Sequence, residues 1–238
     1  MGSLNPLLRL EEAERSGRIP SPILNRVKKR MKYVEEGVAK IELASGLKYP
    51  PYYVEAILPL SSSRVETGQI GIFYAITIPT EGSSGLEILV QLSAPLIAFG
   101  LKTTIKAVLA HEFLHYMEIT RRFNKLDVVS EALSTSLFES LYSDYEKLFE
   151  PRLIFSDKRL VKLMEDKFSN GLSDRSLNEK TLKEWIEKGL PTVTFSPGSN
   201  VIRVPISSIV NMRVDPLLKL KLDELERKSY EWKQRRSL

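Results

Sequence analysis

The sequence has no cysteine and only two histidines in 238 residues. The first absence removes disulfides, thiolate metal sites and cysteine nucleophiles together, and with them any reading of the redox compartment. The second leaves all imidazole chemistry to one pair. Uninterrupted apolar segments of bilayer-spanning length are also missing, since the longest apolar run, Gly85 to Gly100, is broken by Glu87, Gln91 and Pro95. Arg9, Glu11 and Glu12 put charge into the N-terminus where a secretory signal would need an apolar stretch. No internal repeat or low-complexity tract occurs, and a cytoplasmic protein with no transmembrane segment is expected.

What is present is ordinary for a soluble globular chain: 42% apolar and 27% charged residues, enough length to bury a sizeable core. The net charge of +5 is concentrated at the ends. Residues 1–40 hold 9 Lys/Arg against 5 Asp/Glu, residues 217–238 hold 7 against 4, and the remainder holds 19 against 21. The run Arg26 to Lys32 has the charge to meet nucleic-acid phosphates or an anionic membrane, but such runs are more often a solvated helix face.

The chain reads as a single domain, 1–238, in three stretches. A basic helical arm, 1–48, is marked by Val27, Met31, Val34, Val38 and Ile41 at helical spacing, with Pro20 and Pro22 dividing a short segment from a longer one. In the core, 49–150, the breaker Tyr49-Pro-Pro-Tyr-Tyr53 is followed by two apolar, β-branched runs, Gln69–Ile78 and Leu86–Leu92. The loop Pro79–Gly85 between them predicts an antiparallel hairpin. A long helix follows from Lys102, apolar almost all round, and a second from about Val128 to Phe149 with Asp127 as its N-cap. The extension, 151–238, predicts helices near Ser156–Phe168, Ser176–Lys188 and Pro216–Arg236, and strands near Thr192–Phe195 and Val201–Pro205.

Both histidines fall in one motif, His111-Glu112-Phe113-Leu114-His115, inside the long helix. One turn apart, His111 and His115 project from one face and can bind one metal ion, while Glu112 lies within reach of a water at that ion. Two histidines placed at random would show this spacing with an intervening glutamate in roughly one chain in a thousand, so accident is a poor explanation. Imidazoles and a carboxylate on an otherwise apolar helix are costly to bury without a partner, and a metal supplies one. Neutral imidazoles without thiolates suit Zn2+. A catalytic zinc site takes three protein ligands, and with no cysteine or third histidine the third is a carboxylate. Glu131, opening the second helix, is the candidate; Asp127 and Glu118 are the alternatives.

His111-Glu112-x-x-His115 followed by Glu131 on a separate helix resembles the gluzincin zinc metallopeptidases, over about Gln69 to Phe149. Within that group the pattern is most similar to the compact minimal gluzincins and to the ImmA/IrrE-like regulatory peptidases, the latter through Glu-Ala-Leu-Ser-Thr-Ser-Leu-Phe from Glu131 onward. The resemblance implies an α+β fold with a zincin-like core: a small antiparallel sheet packed on the motif helix, a following glutamate-ligand helix, and helical extensions. It implies His111, His115 and Glu131 as metal ligands, Glu112 as catalytic general base, and Leu86–Ser93 as the edge strand against which a peptide or protein substrate lies. The spacing from His115 to Glu131 is shorter than in the larger thermolysin-like enzymes, and Thr135 stands where the family often has an aspartate.

A zinc-dependent peptidase is therefore the leading expectation. The alternative is a non-catalytic zinc-containing regulatory or interaction protein whose basic ends engage nucleic acid or a partner protein. Glu112 favours the enzyme, because a structural metal site needs ligands but no base. For the oxyanion of a peptidase reaction, Tyr74, Tyr116, Tyr142 and Arg121 are the side chains to consider. The stretch from about Thr181 onward is expected to cover part of the cleft and hold the enzyme latent.

Overall fold

A computed structural model describes residues 5–61, 71–82, 85–124, 149–168, 171–195, 212 and 214–236. The fold is α+β, with two small three-stranded sheets set among helices. Helix α1 (Leu8–Arg15) leads into the long α2 (Ser21–Ser45). Pro22 occupies the first turn of α2, where its missing N–H costs nothing, and Gly46 ends the helix at φ 71°, a left-handed conformation suited to glycine. Leu24, Val27, Met31, Val34 and Ile41 form its buried stripe. Gly37 lies on the same stripe, and a Cβ there would sit 2.7 Å from Leu109 Cδ1. The glycine thus lets α2 lie close against the helix that carries the histidines.

Strands β1 (Tyr52–Glu55) and β2 (Leu58–Ser61) follow, then β3 (Gly71–Ile72), β4 (Ala75–Gly82) and β5 (Gly85–Ser93). One sheet has the order β1-β5-β4, with β4 antiparallel and β1 parallel to β5. The other has the order β3-β2-β6, where β6 (Thr192–Phe195) runs parallel to β2. The sheet expected to be antiparallel is therefore mixed. The antiparallel hairpin forms with other bounds than expected, since its first strand runs from Ala75 through Pro79 to Gly82 while Gly71–Ile72 pairs in the other sheet. Strand β1, which enters from α2, adds to the far side of β5 in the same direction. This moves the edge as well: Leu86–Ser93 is the central strand, and β1 and β4 are the two outer strands among the described residues.

A short helix α3 (Ala94–Phe99) connects β5 to α4 (Lys102–Asn124), the motif helix. Beyond it lie α5 (Pro151–Ile154), α6 (Lys158–Lys167) and α7 (Arg175–Thr181), the last widening into a π-helical turn at Leu182–Ile186, and then α8 (Pro216–Arg236). Asp157 caps α6 by accepting from the Arg159 and Leu160 amides, and Asp174 caps α7 by accepting from the Leu177 amide. The second Asp174 oxygen accepts from Thr104 of α4 and pairs with Lys167 of α6 at 3.1 Å, so one carboxylate ties three helices together.

The main core runs through every stretch of the chain, from Leu10 and Val34 through Leu92, Leu109 and Phe113 to Trp185 and Leu225. The first helices are thus built into the core. Arg30, from the basic run, donates to the Ile97 carbonyl at 2.6 Å and to the Gly100 carbonyl, closing the C-terminal end of α3. Lys28 pairs with Glu11 at 2.7 Å. A second apolar cluster, Leu86, Ile88, Ile119 and Phe123, seals β5 against the later half of α4. Among the described residues no helix is long and apolar enough to cross a membrane. The helix expected at 128–149, with Asp127, Glu131, Thr135 and Tyr142, lies outside the described residues, as does the strand expected at 201–205.

Candidate metal centre

Helix α4 is buried nearly all round, but its residues are not uniformly apolar. Thr104, His111, His115, Glu118 and Arg122 are buried and follow one another at intervals of 7, 4, 3 and 4, which keeps them on one face. The opposite face carries Ile105, Leu109 and Phe113 into the main core. A phenol anchors this side: Tyr49 donates to the Leu109 carbonyl at 2.9 Å and stacks on Phe113 with ring centroids 5.7 Å apart. Burial, reinforced by the nearby charges of Glu112 and Tyr52, holds the Tyr49 hydroxyl well above its ordinary ionisation range, so it stays a neutral donor.

His111 and His115 are 8% and 7% exposed, and their Nε2 atoms stand 3.1 Å apart with the rings nearly perpendicular, at 87°. Two nitrogens ~2.0–2.1 Å from a zinc ion at the tetrahedral angle are about 3.3 Å apart, so the pair is spaced as two ligands of one ion would be. The donors also fit, being imidazoles with no competing thiolate. Phe168, just past the end of α6, covers one face of His111 in a parallel stack, 4.0 Å between centroids and 7° between planes. Much of the stretch from Thr181 onward, residues 196–211, lies outside the described residues.

Glu112 is 5% exposed, and its Oε2 accepts from the Thr77 hydroxyl of β4 at 2.7 Å. The same hydroxyl is 3.2 Å from the Glu112 carbonyl. Sequence reasoning missed Thr77. The pairing of β4 with β5 is what reveals it, turning Thr77, Leu86, Ile88, Val90 and Leu92 to the buried side, where a hydroxyl among aliphatics needs a partner.

Glu118, an alternative ligand by spacing, is committed elsewhere. Its Oε1 accepts from Arg121 at 2.6 Å and Arg122 at 3.0 Å, and its Oε2 from Arg121 at 2.9 Å. Arg121 reaches on to Glu226 of α8 at 3.2 Å, joining the C-terminal helix to α4 one turn past His115. Among the described residues no three His, Asp or Glu side chains converge on a metal position. His111 and His115 are the two donors brought together; Glu131 lies outside the described residues.

Of the oxyanion candidates, Tyr142 lies outside the described residues, and the other three are held in other contacts. Tyr74 donates to Asn178 Oδ1 or Thr181 Oγ1, each at 3.0 Å, and burial raises its pKa far above the ordinary value. Tyr116 packs against Phe113 at 5.9 Å, its hydroxyl pushed up to about 12 by burial and by the charge of Asp215. Arg121 is bound by its two carboxylates. A cleft of ≈ 670 Å³ lined by Asn124, Met212, Val214, Asp215, Pro216 and Lys219 opens at the far end of α4 and includes no residue of the motif. Compared with protein-family models, with curated proteins and with solved structures, the chain has no match in any of the three.

Proposed function

We propose that the chain is a zinc-dependent metallopeptidase with a gluzincin-like, zincin-type core. The observation that carries this reading is the convergence of His111 and His115 Nε2 atoms, 3.1 Å apart, beside Glu112 on a buried helix. His111 and His115 hold the metal, and Glu131 completes the ligand set. Zinc bound there supplies Lewis acidity, polarising a peptide carbonyl and bringing the pKa of a water to about 7. Glu112 takes the proton from the attacking water and delivers it to the leaving amine nitrogen. Of the two outer strands, β4, antiparallel to β5 and bonded to Glu112 through Thr77, is the one proposed to face substrate in place of the central Leu86–Ser93.

Glu112 also separates this reading from a non-catalytic zinc protein. Purified chain should carry one zinc per molecule, lost in His111→Ala and His115→Ala, and should cleave an unstructured protein such as casein. Glu112→Gln should keep the metal and lose at least ~100-fold in rate, the usual contribution of a general base. Equal cleavage by wild type and Glu112→Gln would sink the mechanism. Metal retained with no cleavage by either would favour the regulatory protein.

A further inference from the structure

The structure assigns Thr77 as the positioning residue for the Glu112 carboxylate, an assignment that rests on the peptidase reading for its kinetic consequences but on geometry for its structural ones. A strand residue packed among aliphatics is served best by valine or isoleucine, which fill the same β-branched shape without a hydroxyl to satisfy. Thr77 is 3% exposed, opposite Val90 in the β4–β5 register, and on a buried face whose other buried members on these strands are Pro79, Leu86, Ile88, Val90 and Leu92. Its hydroxyl is the polar exception, and it is directed at the one carboxylate of the motif.

The contact is suited to orientation. The hydroxyl has one proton and two acceptors on the same residue, Oε2 at 2.7 Å and the main-chain oxygen at 3.2 Å. The single proton goes to the nearer acceptor, Oε2, and this bond fixes the direction in which the Glu112 carboxylate points. Oε1 accepts no hydrogen bond among the described residues and is the oxygen left to exchange a proton with substrate and water. Because β4 is one of the two outer strands, the atom that aligns the base would sit on the element next to a chain laid along that edge of the sheet. Base and substrate would then share one reference frame, and misplacement by ~1 Å in such an arrangement costs about 100-fold.

Thr77→Val keeps the shape and removes the proton; Thr77→Ser keeps the proton and removes a methyl. In zinc-loaded full-length protein, Thr77→Val should lower kcat by roughly 10- to 100-fold with KM and zinc stoichiometry unchanged, and Thr77→Ser should restore kcat to within a few-fold of wild type. Crystals of the metal-loaded variants supply a readout independent of turnover: Glu112 should leave its wild-type position in Thr77→Val and keep it in Thr77→Ser. A purely structural role would lower the melting temperature and leave kcat and the carboxylate where they were, and that result overturns the assignment. So does a folded, metal-loaded Thr77→Ser that fails to restore the rate. Should the valine variant not fold, Thr77→Ala takes its place with the same expectations. If wild type itself shows no turnover, the peptidase reading fails on its own terms, and the crystallographic comparison alone decides the role of Thr77.

Discussion

Glu118→Gln separates the charge economy of α4 from its metal chemistry. The wild-type carboxylate is 8% exposed on its side chain, accepts from two guanidiniums, and is the acceptor that Arg121 and Arg122 share. Arg122 is as buried as its partner, at 8%, whereas Arg121 is 26% exposed and also reaches Glu226. Removing one member of a buried pair costs about 3–5 kcal/mol, while a solvent-screened pair contributes up to ~1 kcal/mol. Arg122 has interactions besides Glu118, so the loss should fall between those figures, at about 1–3 kcal/mol, and at about 2–4 °C per kcal/mol for a chain of this size the melting temperature should fall by roughly 2–12 °C. Glu226→Gln weakens the partly exposed contact with Arg121 and should cost less than Glu118→Gln. Both are read by urea unfolding and calorimetry, with zinc stoichiometry measured on the same samples. A Glu118→Gln loss below ~1 kcal/mol would show that the guanidiniums do not depend on this carboxylate. Loss of bound zinc would refute its separation from the metal centre.

Two further perturbations test other parts of the fold. Tyr116 is raised from 10.0 to about 12 by burial and by Asp215, so its neutral form stabilises the folded state in full below pH 10.0 and that contribution is lost as pH rises toward 12. Tyr116→Phe should lack about 2 kcal/mol of the alkaline fall in unfolding free energy between those limits, measured by urea titration; the same slope in both proteins would contradict the placement of the phenol. Arg30→Met, which keeps the stem but removes the donors to Ile97 and Gly100, should cost about 2 kcal/mol, whereas Lys29→Met on the exposed side of the same run should stay within ~0.5 kcal/mol. Equal effects would return the whole run to a solvated face.

Helices were legible because their signal is local. The stripe from Leu24 to Ile41, the motif helix and the α6 stretch all repeat within one or two turns, and each matches a helix in the structure. Strand pairing was not, because partners are distant in sequence. Tyr49-Pro-Pro-Tyr-Tyr reads as a break, yet Tyr52–Glu55 pairs parallel with Val90–Ser93, and nothing nearby signals it. The first hairpin strand reads as ending at Ile78 because Pro79 follows, but it continues to Gly82; an outer strand tolerates a proline whose missing donor faces away from its neighbour. In the candidate site, the closeness of His111 and His115 was legible from their spacing alone. Thr77 was not, since which face of its strand turns inward depends on that pairing. Glu118 was misweighted by geometry: Arg121 and Arg122, three and four residues on, are its natural helical partners, and that pattern was in plain sight.

The polar stripe of α4 bears on the proposed metal site at its centre. Burying five polar side chains on one helix face is unfavourable unless each is compensated. At one end Thr104 is engaged by Asp174, whose charge is met by Lys167. At the other end Glu118 is met by two arginines. Both ends are thus neutralised within the protein, by ions of opposite sign close at hand. In the middle, the Glu112 carboxylate accepts from the Thr77 hydroxyl, and beside it the Nε2 atoms of His111 and His115 lie 3.1 Å apart, within hydrogen-bond distance of each other. A metal ion held by both histidines would take the place of the proton that one Nε2 shares with the other. Replacing Thr77 with lysine would set an ammonium beside that position and should lower zinc affinity in a zinc titration of the folded variant; unchanged affinity would contradict the proximity of Thr77 to the proposed metal site.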